Sequence, residues 1–345
     1  MFFVLFLYIG AWKLWLATPM ACLTDVLLTP MRSFCGFWSL RRLRECSRQV
    51  LESLGAVELV GRRLMVVGGH GGRGQGPHAP EAMAEVYDLS GWSVVAGPSK
   101  ARYLHATCAS CGKVLVVGGK DGTEATLSSV EAYDVDTSCW QQMCDLQMAR
   151  HSAAACALGG YACVMGGFDG FSALDAVEIC DLQGGAWRMW QPLSAGRGKH
   201  AAAGLGRSIF LLGGMDAGYR CLATAERLTW APSAWCTLAP LRVPRSDCAA
   251  ASAQGAVLVA GGVAHGWTTL ASVERYDPLV GAWEPLSELQ LLRRGCAAAA
   301  LAGAVYVLGG AAYGGRATAA VEVLGPKAPD LQRPRCALGA AGYVV

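Results

Sequence analysis

Charged residues are scarce in this chain. Of its 345 residues, 16% are Asp, Glu, Lys or Arg, and the formal net charge is +3 at pH 7. The longest basic cluster is Arg41, Arg42 and Arg44. A nucleic-acid-binding surface needs a larger basic patch, so we expect no nucleic-acid partner. Hydrophobic residues make up 53% of the chain, which excludes a disordered protein.

Recognisable catalytic motifs are also missing. The sequence holds no Gly-x-Ser-x-Gly elbow, no P-loop and no His-Glu-x-x-His metal motif. The glycine-rich residues 71–76 follow a predicted strand and open no helix, so we interpret them as a loop and not as a phosphate-binding site. We therefore expect a protein that is not an enzyme and that needs no cofactor.

Cysteine is common, with 15 residues, but it forms no recognisable framework. The odd number and the scattered spacing differ from the disulfide pattern of a secreted protein. Cys108 and Cys111 form a Cys-x-x-Cys pair without a second pair at metal-ligand spacing, so we expect no bound metal. Unpaired cysteines favour a reducing compartment, and we expect a cytoplasmic protein.

The one long apolar stretch lies at the start of the chain. Residues 1–16 carry a single charge, Lys13, but they are shorter than the roughly 20 residues that a membrane-spanning helix needs. No basic residue precedes them, as a secretory signal would require. We interpret residues 1–19 as an apolar extension, with a membrane anchor or a cleaved signal as alternatives. An anchor would leave the remainder in the cytoplasm, because the basic residues follow it.

The most regular feature is a Gly-Gly doublet that recurs six times, at intervals of 50, 48, 47, 48 and 48 residues. The doublets are Gly68-Gly69, Gly118-Gly119, Gly166-Gly167, Gly213-Gly214, Gly261-Gly262 and Gly309-Gly310. From the second doublet on, a Trp stands 26 residues earlier: Trp92, Trp140, Trp187, Trp235 and Trp283. A Glu follows each doublet after 12 to 17 residues: Glu85, Glu131, Glu178, Glu226, Glu274 and Glu322. Landmarks that stay in phase in this way indicate a repeated structural unit.

Each repeat predicts four short strands. In the third copy, residues 151–158 are small and apolar, Tyr161–Met165 is an apolar run that ends at the doublet, and Val177–Cys180 and the region of Trp187 follow as the third and fourth strands. Six such units predict an all-β, six-bladed propeller, because a single repeat cannot bury its own apolar faces. We expect the glycines to allow positive φ or close approach, and the Trp to pack between neighbouring sheets.

These landmarks resemble the kelch repeat, with its double glycine, its Glu-x-Tyr-Asp, present as Glu85–Asp88, Glu131–Asp134 and Glu274–Asp277, and its spaced Trp. The resemblance covers roughly residues 50–345 and implies a β-propeller that binds another protein. The fourth and sixth copies depart from it, with Leu228 and Leu324 in place of the Tyr, and Leu331 stands where the sixth Trp is expected.

The closure of the ring has more than one solution in the sequence. The tail, residues 335–345, begins like another repeat, while residues 57–67 before the first doublet could supply the same inner strand. We expect six blades, with the tail either completing blade 1 or packing as the stub of a seventh; a chain cut short at its C-terminus is a further alternative.

Residues 20–50 resemble an F-box, a compact helical motif that docks a Skp-type adaptor. The resemblance rests on apolar residues in the family's order, followed by Cys46-Ser47-Arg48: Leu23, Leu27, Leu28, Phe34, Leu40 and Leu43. The sequence departs from the family at Thr24 and Val50, and Pro30 falls within the predicted helix. The alternative is an amphipathic linker helix, because the leucines recur at helical spacing.

The resemblance implies a partner-binding face that collects the loops after the doublets and the loops before the inner strands. The first set contributes Phe168, Asp169, Phe171, Tyr219, His265, Trp267 and Tyr313. The second set contributes an arginine 16 residues before each doublet from the second onward: Arg102, Arg150, Arg197, Arg245 and Arg293. Exposed guanidinium groups would suit an acidic or phosphorylated segment. The alternative is that each Arg pairs with a strand Glu of its own blade.

The expected organisation is therefore an extension or anchor at 1–19, an F-box-like helical motif at 20–50 and a kelch propeller at 51–345. The resemblance implies a non-enzymatic substrate-recognition subunit of an SCF-type ubiquitin ligase, bound to a Skp-type adaptor and a cullin. The alternative is a cytoskeletal or regulatory kelch scaffold with no ligase link.

Overall fold

The computed structural model describes residues 64–68, 82–87, 92–230, 234–301, 303–311, 318 and 320–324, and the backbone of three further short strands. The chain divides into two compact units, Met1–Leu59 and Val60–Val345. In the first unit, β1 (Leu7–Ile9) and β2 (Trp12–Leu14) form an antiparallel pair. The F-box-like residues and the predicted N-terminal helix lie outside the described residues.

The second unit is a six-bladed β-propeller of antiparallel blades, five of them four-stranded and the sixth with three strands among the described residues. Blade 1 contains β3 (Leu64–Val67), β4 (Met83–Tyr87) and β5 (Trp92–Ala96). Blade 2 contains β6 (Ala106–Ser110), β7 (Lys113–Val117), β8 (Val130–Asp134) and β9 (Cys139–Gln142). Blade 3 contains β10 (Ala154–Leu158), β11 (Tyr161–Met165), β12 (Val177–Asp181) and β13 (Arg188–Met189). The predicted fold is confirmed.

The remaining blades follow the same plan. Blade 4 contains β14 (Ala201–Leu205), β15 (Ser208–Leu212), β16 (Ala225–Thr229) and β17 (Ala234–Thr237). Blade 5 contains β18 (Ala249–Ala253), β19 (Ala256–Ala260), β20 (Val273–Asp277) and β21 (Ala282–Leu286), with a short 3-10 turn at His265–Trp267. Blade 6 contributes β22 (Ala297–Leu301), β23 (Ala304–Leu308) and β24 (Val321–Leu324).

A C-terminal strand closes the ring. Strand β25 (Gly342–Val344) pairs antiparallel with β3, so that blade 1 has the order β25-β3-β4-β5. The inner strands β6, β10, β14, β18, β22 and β25 then contact one another in a closed circle. The tail therefore completes blade 1, and the alternative of a seventh-blade stub is wrong, because β3 offers the open edge that the tail fills.

Burial explains the composition of each strand. The second strand of the blades is almost wholly buried, as in β11, where Ala162, Cys163, Val164 and Met165 are inaccessible to solvent. The inner strands are crowded around the axis, which accounts for their alanines, as in β14 and β22. Outer strands such as β9 are mostly exposed.

The doublets end the second strand where two blades meet. At Gly118 φ is +61°, and a Cβ there would lie 2.3 Å from the carbonyl oxygen of Arg150 in the next blade. The amide of Gly119 donates to that same oxygen at 2.9 Å. Both expected reasons for glycine, positive φ and close approach, are confirmed at this position.

The repeated tryptophans connect neighbouring blades. The indole N–H of Trp140 donates to the carbonyl of Ala96 in blade 1 at 2.6 Å, and Trp283 donates in the same way to Ala239 in blade 4 at 2.8 Å. The ring of Trp187 packs in the core between blades 2 and 3. The prediction that the Trp packs between sheets is confirmed for these residues.

Candidate functional site

The five repeat arginines are buried and paired inside their own blades. Their residues are at most 1% exposed, and in every case one guanidinium nitrogen contacts the repeat Glu. The pairs are Arg102–Glu131, Arg150–Glu178, Arg197–Glu226, Arg245–Glu274 and Arg293–Glu322. The expectation that these arginines contact a partner is corrected here, because no surface of the guanidinium groups is open to one.

In blade 3, Arg150 donates hydrogen bonds within its own blade. Arg150 donates to Glu178 at 2.6 Å, to the carbonyl of Gly166 in the doublet at 2.9 Å and to that of Ala176 at 2.8 Å. Burial lowers the pKa of Arg150, and the charge of Glu178 opposes this effect. The Glu178 carboxylate also accepts from the amide of Gln147 at 2.7 Å, on the segment that arrives from blade 2. The pair thus anchors the crossover between blades.

The loops after the doublets are shaped by an aspartate. In blade 3, Asp169 accepts through one oxygen from the amides of Phe171 at 2.8 Å and Ser172 at 2.7 Å. These hydrogen bonds lower the pKa of Asp169. Asp121 in blade 2 and Asp216 in blade 4 hold their loops in the same way. Asp169 is therefore occupied within its own loop, which it makes rigid.

Aromatic side chains stand at the tips of three successive loops. Phe171 in blade 3 is 99% exposed, Tyr219 in blade 4 is 72% exposed and Trp267 in blade 5 is 52% exposed. His265 is exposed beside Trp267. Large apolar side chains this accessible have no role in the propeller core. We call these three exposed residues the aromatic tips: Phe171, Tyr219 and Trp267.

Two other predicted residues of this face differ from the tips. The ring of Phe168 is half-buried; it lies 5.7 Å from that of His151 and covers Gly198 of the next blade, where a Cβ would lie 2.2 Å from a ring carbon. Phe168 is thus mainly a packing residue at the base of its loop. Tyr313 lies outside the described residues.

The structure also shows a ring of residues that the sequence did not reveal. Fourteen positions before each doublet from the second onward, just ahead of the inner strands, five residues have φ between 50° and 58°: Leu104, Ser152, Lys199, Asp247 and Gly295. The amides of the last four each donate to the carbonyl of the equivalent residue in the preceding blade, at 2.7–2.8 Å. We call these five residues the left-handed ring; they surround the axis at the loop end of the inner strands.

Four members of the left-handed ring are not glycine, which is unfavourable for the backbone. A non-glycine residue at positive φ costs on the order of 1–3 kcal/mol. Lys199 of blade 4 and Asp247 of blade 5 form an ion pair at 3.1 Å, with side chains 26% and 17% exposed. The hydroxyl of Ser152 lies 3.1 Å from Nδ1 of His151. Burial, together with Lys120 and Lys199, lowers the pKa of His151 to about 4, so its imidazole is neutral at pH 7.

Metal-ligand clusters are absent from the described residues, and the thiols on the inner strands are buried. The described residues contain no group of three or more His, Cys, Asp or Glu side chains placed to hold a metal. Burial raises the pKa of Cys156 and of Cys248 to about 12, so these thiols are not nucleophilic at neutral pH. Among the described residues, no helix is long and apolar enough to cross a bilayer.

Comparison with known proteins agrees with this architecture. The family described as the KLHDC2/KLHL20/DRC7 Kelch-repeats domain matches residues 55–262, more than half of the chain, and the Kelch motif matches residues 244–290. No curated protein sequence matches the chain. The solved structure titled "Structure of YjhT" superposes with a TM-score of 0.62 at 18% identity, covering 71% of this chain and 91% of that one, a likeness of fold alone. Members of the kelch family are generally non-enzymatic and bind protein partners through their propellers. The chain belongs to the kelch-repeat family of β-propellers.

Proposed function

We propose that this chain is a non-enzymatic protein-binding propeller that contacts its target through the aromatic tips. The observation that carries the proposal is the exposure of Phe171, Tyr219 and Trp267 on loops of three consecutive blades. Exposed aromatic residues supply most of the binding free energy in many protein interfaces. The loop of blade 2 is polar, with Lys120 paired to Glu124, so we place the contact off the axis, over blades 3 to 5.

Because the arginines are buried, they give no support for a charged target. A preference for acidic or phosphorylated targets depended on exposed guanidinium groups, and each of these groups pairs with a glutamate. The proposed contact is therefore apolar in its centre, and we expect its strength to change little with salt concentration.

Serine substitution of the aromatic tips tests this contact. The variant Phe171→Ser/Tyr219→Ser/Trp267→Ser should lose captured partners in cells at least tenfold relative to wild type, with an unchanged melting temperature. The matched control is Leu279→Ser/Val280→Ser, because these residues are 97% and 74% exposed in the turn between β20 and β21, at the opposite end of blade 5. Equal losses in both variants, or in neither, would contradict the assignment of the face.

We further propose that residues 20–50 dock a Skp-type adaptor and so make the chain the substrate-recognition subunit of an SCF-type ubiquitin ligase. The support is the order of apolar residues in the F-box-like segment, Leu23, Leu27, Leu28, Phe34, Leu40 and Leu43, followed directly by a kelch propeller. The full chain should bind the purified adaptor, and Leu27→Asp/Leu40→Asp should abolish binding. A folded wild-type chain that binds no adaptor would leave a kelch scaffold without a ligase link.

A further inference from the structure

A charged pair, Lys199 and Asp247, lies in the left-handed ring, just before the inner strands of blades 4 and 5. The residue before Lys199, Gly198, exchanges two backbone hydrogen bonds with Met215, at the base of the loop that carries Tyr219. In blade 5, Ser246, which precedes Asp247, does the same with Val263, at the base of the loop that carries Trp267. Lys199 and Asp247 therefore each lie one residue from a backbone contact with the base of a loop that carries an aromatic tip, on the face proposed to bind a partner.

The scaffold does not require these two side chains. The left-handed ring is held by backbone amides and carbonyls, which any residue supplies, and φ is nearly the same for Gly295 as for Lys199 and Asp247. Glycine adopts this conformation without strain, so a sequence selected for stability alone would place it at all five positions. Blade 6 shows that glycine is accepted there.

The ion pair itself gives little in return. The two side chains are only 26% and 17% exposed, so the cost of desolvating both charges offsets much of their mutual attraction. Two residues in a left-handed conformation whose pairing adds little net stability call for another role. What they present to solvent is a hydrogen-bond donor and an acceptor side by side, at a fixed position.

We propose that Lys199 and Asp247 are specificity-determining residues for the protein partner that the aromatic tips bind. The inference rests on the proposed protein-binding function and adds the chemistry of its polar contact. The partner inserts a polar turn that offers an acceptor to the Lys199 ammonium and a donor to the Asp247 carboxylate. The apolar contact with the tips supplies affinity, and the polar pair distinguishes the partner from other proteins that offer a similar apolar contact.

A charge exchange separates this role from a structural one. The variant Lys199→Asp/Asp247→Lys keeps an ion pair between blades 4 and 5 but reverses the positions of donor and acceptor. Its melting temperature should stay within about 2 °C of wild type, because both charges stay paired and their attraction is largely offset by the cost of desolvation. Its affinity for a protein that crosslinks to benzoyl-phenylalanine at position 219 should fall tenfold or more.

The control is a more exposed ion pair elsewhere in the propeller. Arg275 and Glu284 pair at 2.7 Å across β20 and β21, with side chains 31% and 55% exposed. Their exchange, Arg275→Glu/Glu284→Arg, should leave both affinity and melting temperature unchanged. A second variant, Lys199→Gly, should keep or raise the melting temperature, because it relieves the left-handed strain, and should still lose the partner.

Each result decides for or against the polar contact. A partner that depends on the aromatic tips but tolerates the Lys199/Asp247 exchange would overturn this inference and leave the proposed function standing. A fall of more than about 4 °C for Lys199→Gly would show a structural role and overturn it as well. No crosslinked partner at position 219 would overturn both proposals together.

Discussion

Replacing Glu178 by alanine should destabilise the propeller strongly, because Arg150 would keep a buried charge without its counter-charge. Both side chains are 0% exposed, and they meet at 2.6 Å. Removing one partner of a buried pair typically costs about 3–5 kcal/mol. For a domain of this size, such a loss lowers the melting temperature by roughly 6–20 °C. Glu178 also accepts the amide of Gln147, so the crossover from blade 2 would lose an anchor.

The measurement is the free energy of unfolding in urea, followed by tryptophan fluorescence, for the full chain and three variants. Glu284→Ala removes one partner of the exposed Arg275 pair and should cost less than about 1 kcal/mol. Arg150→Met/Glu178→Met removes both buried charges and should recover part of the loss, because no uncompensated charge remains. Recovery should be incomplete, because the carbonyls of Gly166 and Ala176 lose their donor.

A small effect would refute this reasoning. If Glu178→Ala unfolds within about 1 kcal/mol of wild type, the buried pair does not anchor the crossover as argued. If, in addition, Arg150→Met folds normally and loses the partner, the arginines would be binding residues after all. The two uses of the arginine thus predict opposite patterns of stability and binding, and one set of variants separates them.

Two further predictions concern the scaffold. Gly118→Ala should lower the free energy of unfolding by several kcal/mol, because its Cβ would lie 2.3 Å from the Arg150 carbonyl. The control Gly112→Ala, at φ +72° with nothing within 4 Å, should lower it by only about 1 kcal/mol. Similar losses in both variants would rule out the clash as the cause. Burial lowers the pKa of His105 to about 4 and that of His200 to about 3, so both are neutral in the folded state. The two neutral histidines contribute fully to the free energy of unfolding above about pH 6.5. This contribution is lost as the pH falls toward their folded-state pKa values, because the histidines of the unfolded chain are protonated at a higher pH than those of the folded chain. Melting temperatures between pH 7 and pH 4 should fall less steeply for His200→Ala than for wild type, and parallel curves would contradict the assignment.

The sequence was sufficient for the architecture, because the landmarks of the repeat make contacts that recur in several blades. The doublet is glycine since the next blade's backbone touches it, as at Gly118, and the Trp recurs because its indole reaches the preceding blade, as Trp140 does. A contact of this kind requires the same residue type at the same place in successive repeats. The periodic pattern of glycine and tryptophan therefore predicts these contacts. Closure was different, because the tail and residues 57–67 both had suitable composition. Only the pairing of β25 with β3 decides between them.

The use of the arginines could not be decided from spacing. Their distance from the doublet is constant, and so is that of the glutamates in four of five blades, which fits an internal pair and a binding ring equally well. The difference lies in the direction of the side chain, which a sequence period does not contain. The structure settles it through burial, since Arg150 reaches inward to Glu178 and to the doublet carbonyl at Gly166.

The left-handed ring left almost no trace in the sequence, because its cause is tertiary. Hydrogen bonds from the neighbouring blade impose the conformation, whatever side chain is present, and Leu104, Ser152, Lys199 and Asp247 share no chemical character. The one available signal is Gly295, which alone has the residue type that the conformation favours. A position that is geometrically constant but chemically variable is therefore invisible to a search for repeated residues.

That same combination of constant geometry and variable chemistry is what a binding site in a repeat protein requires. The buried pair at Arg150 and Glu178 must be the same in every blade, because every blade needs the same crossover. A partner that contacts blades 3 to 5 gains no selectivity from side chains that these blades share, so we expect recognition to reside where the blades differ. The loops satisfy this condition, with Glu124 in blade 2 at the place where blades 4 and 5 carry Tyr219 and Trp267, all three at φ between 59° and 67°. From this equal backbone and these unequal side chains we propose that the selective contacts lie on this face and that the invariant residues serve the scaffold.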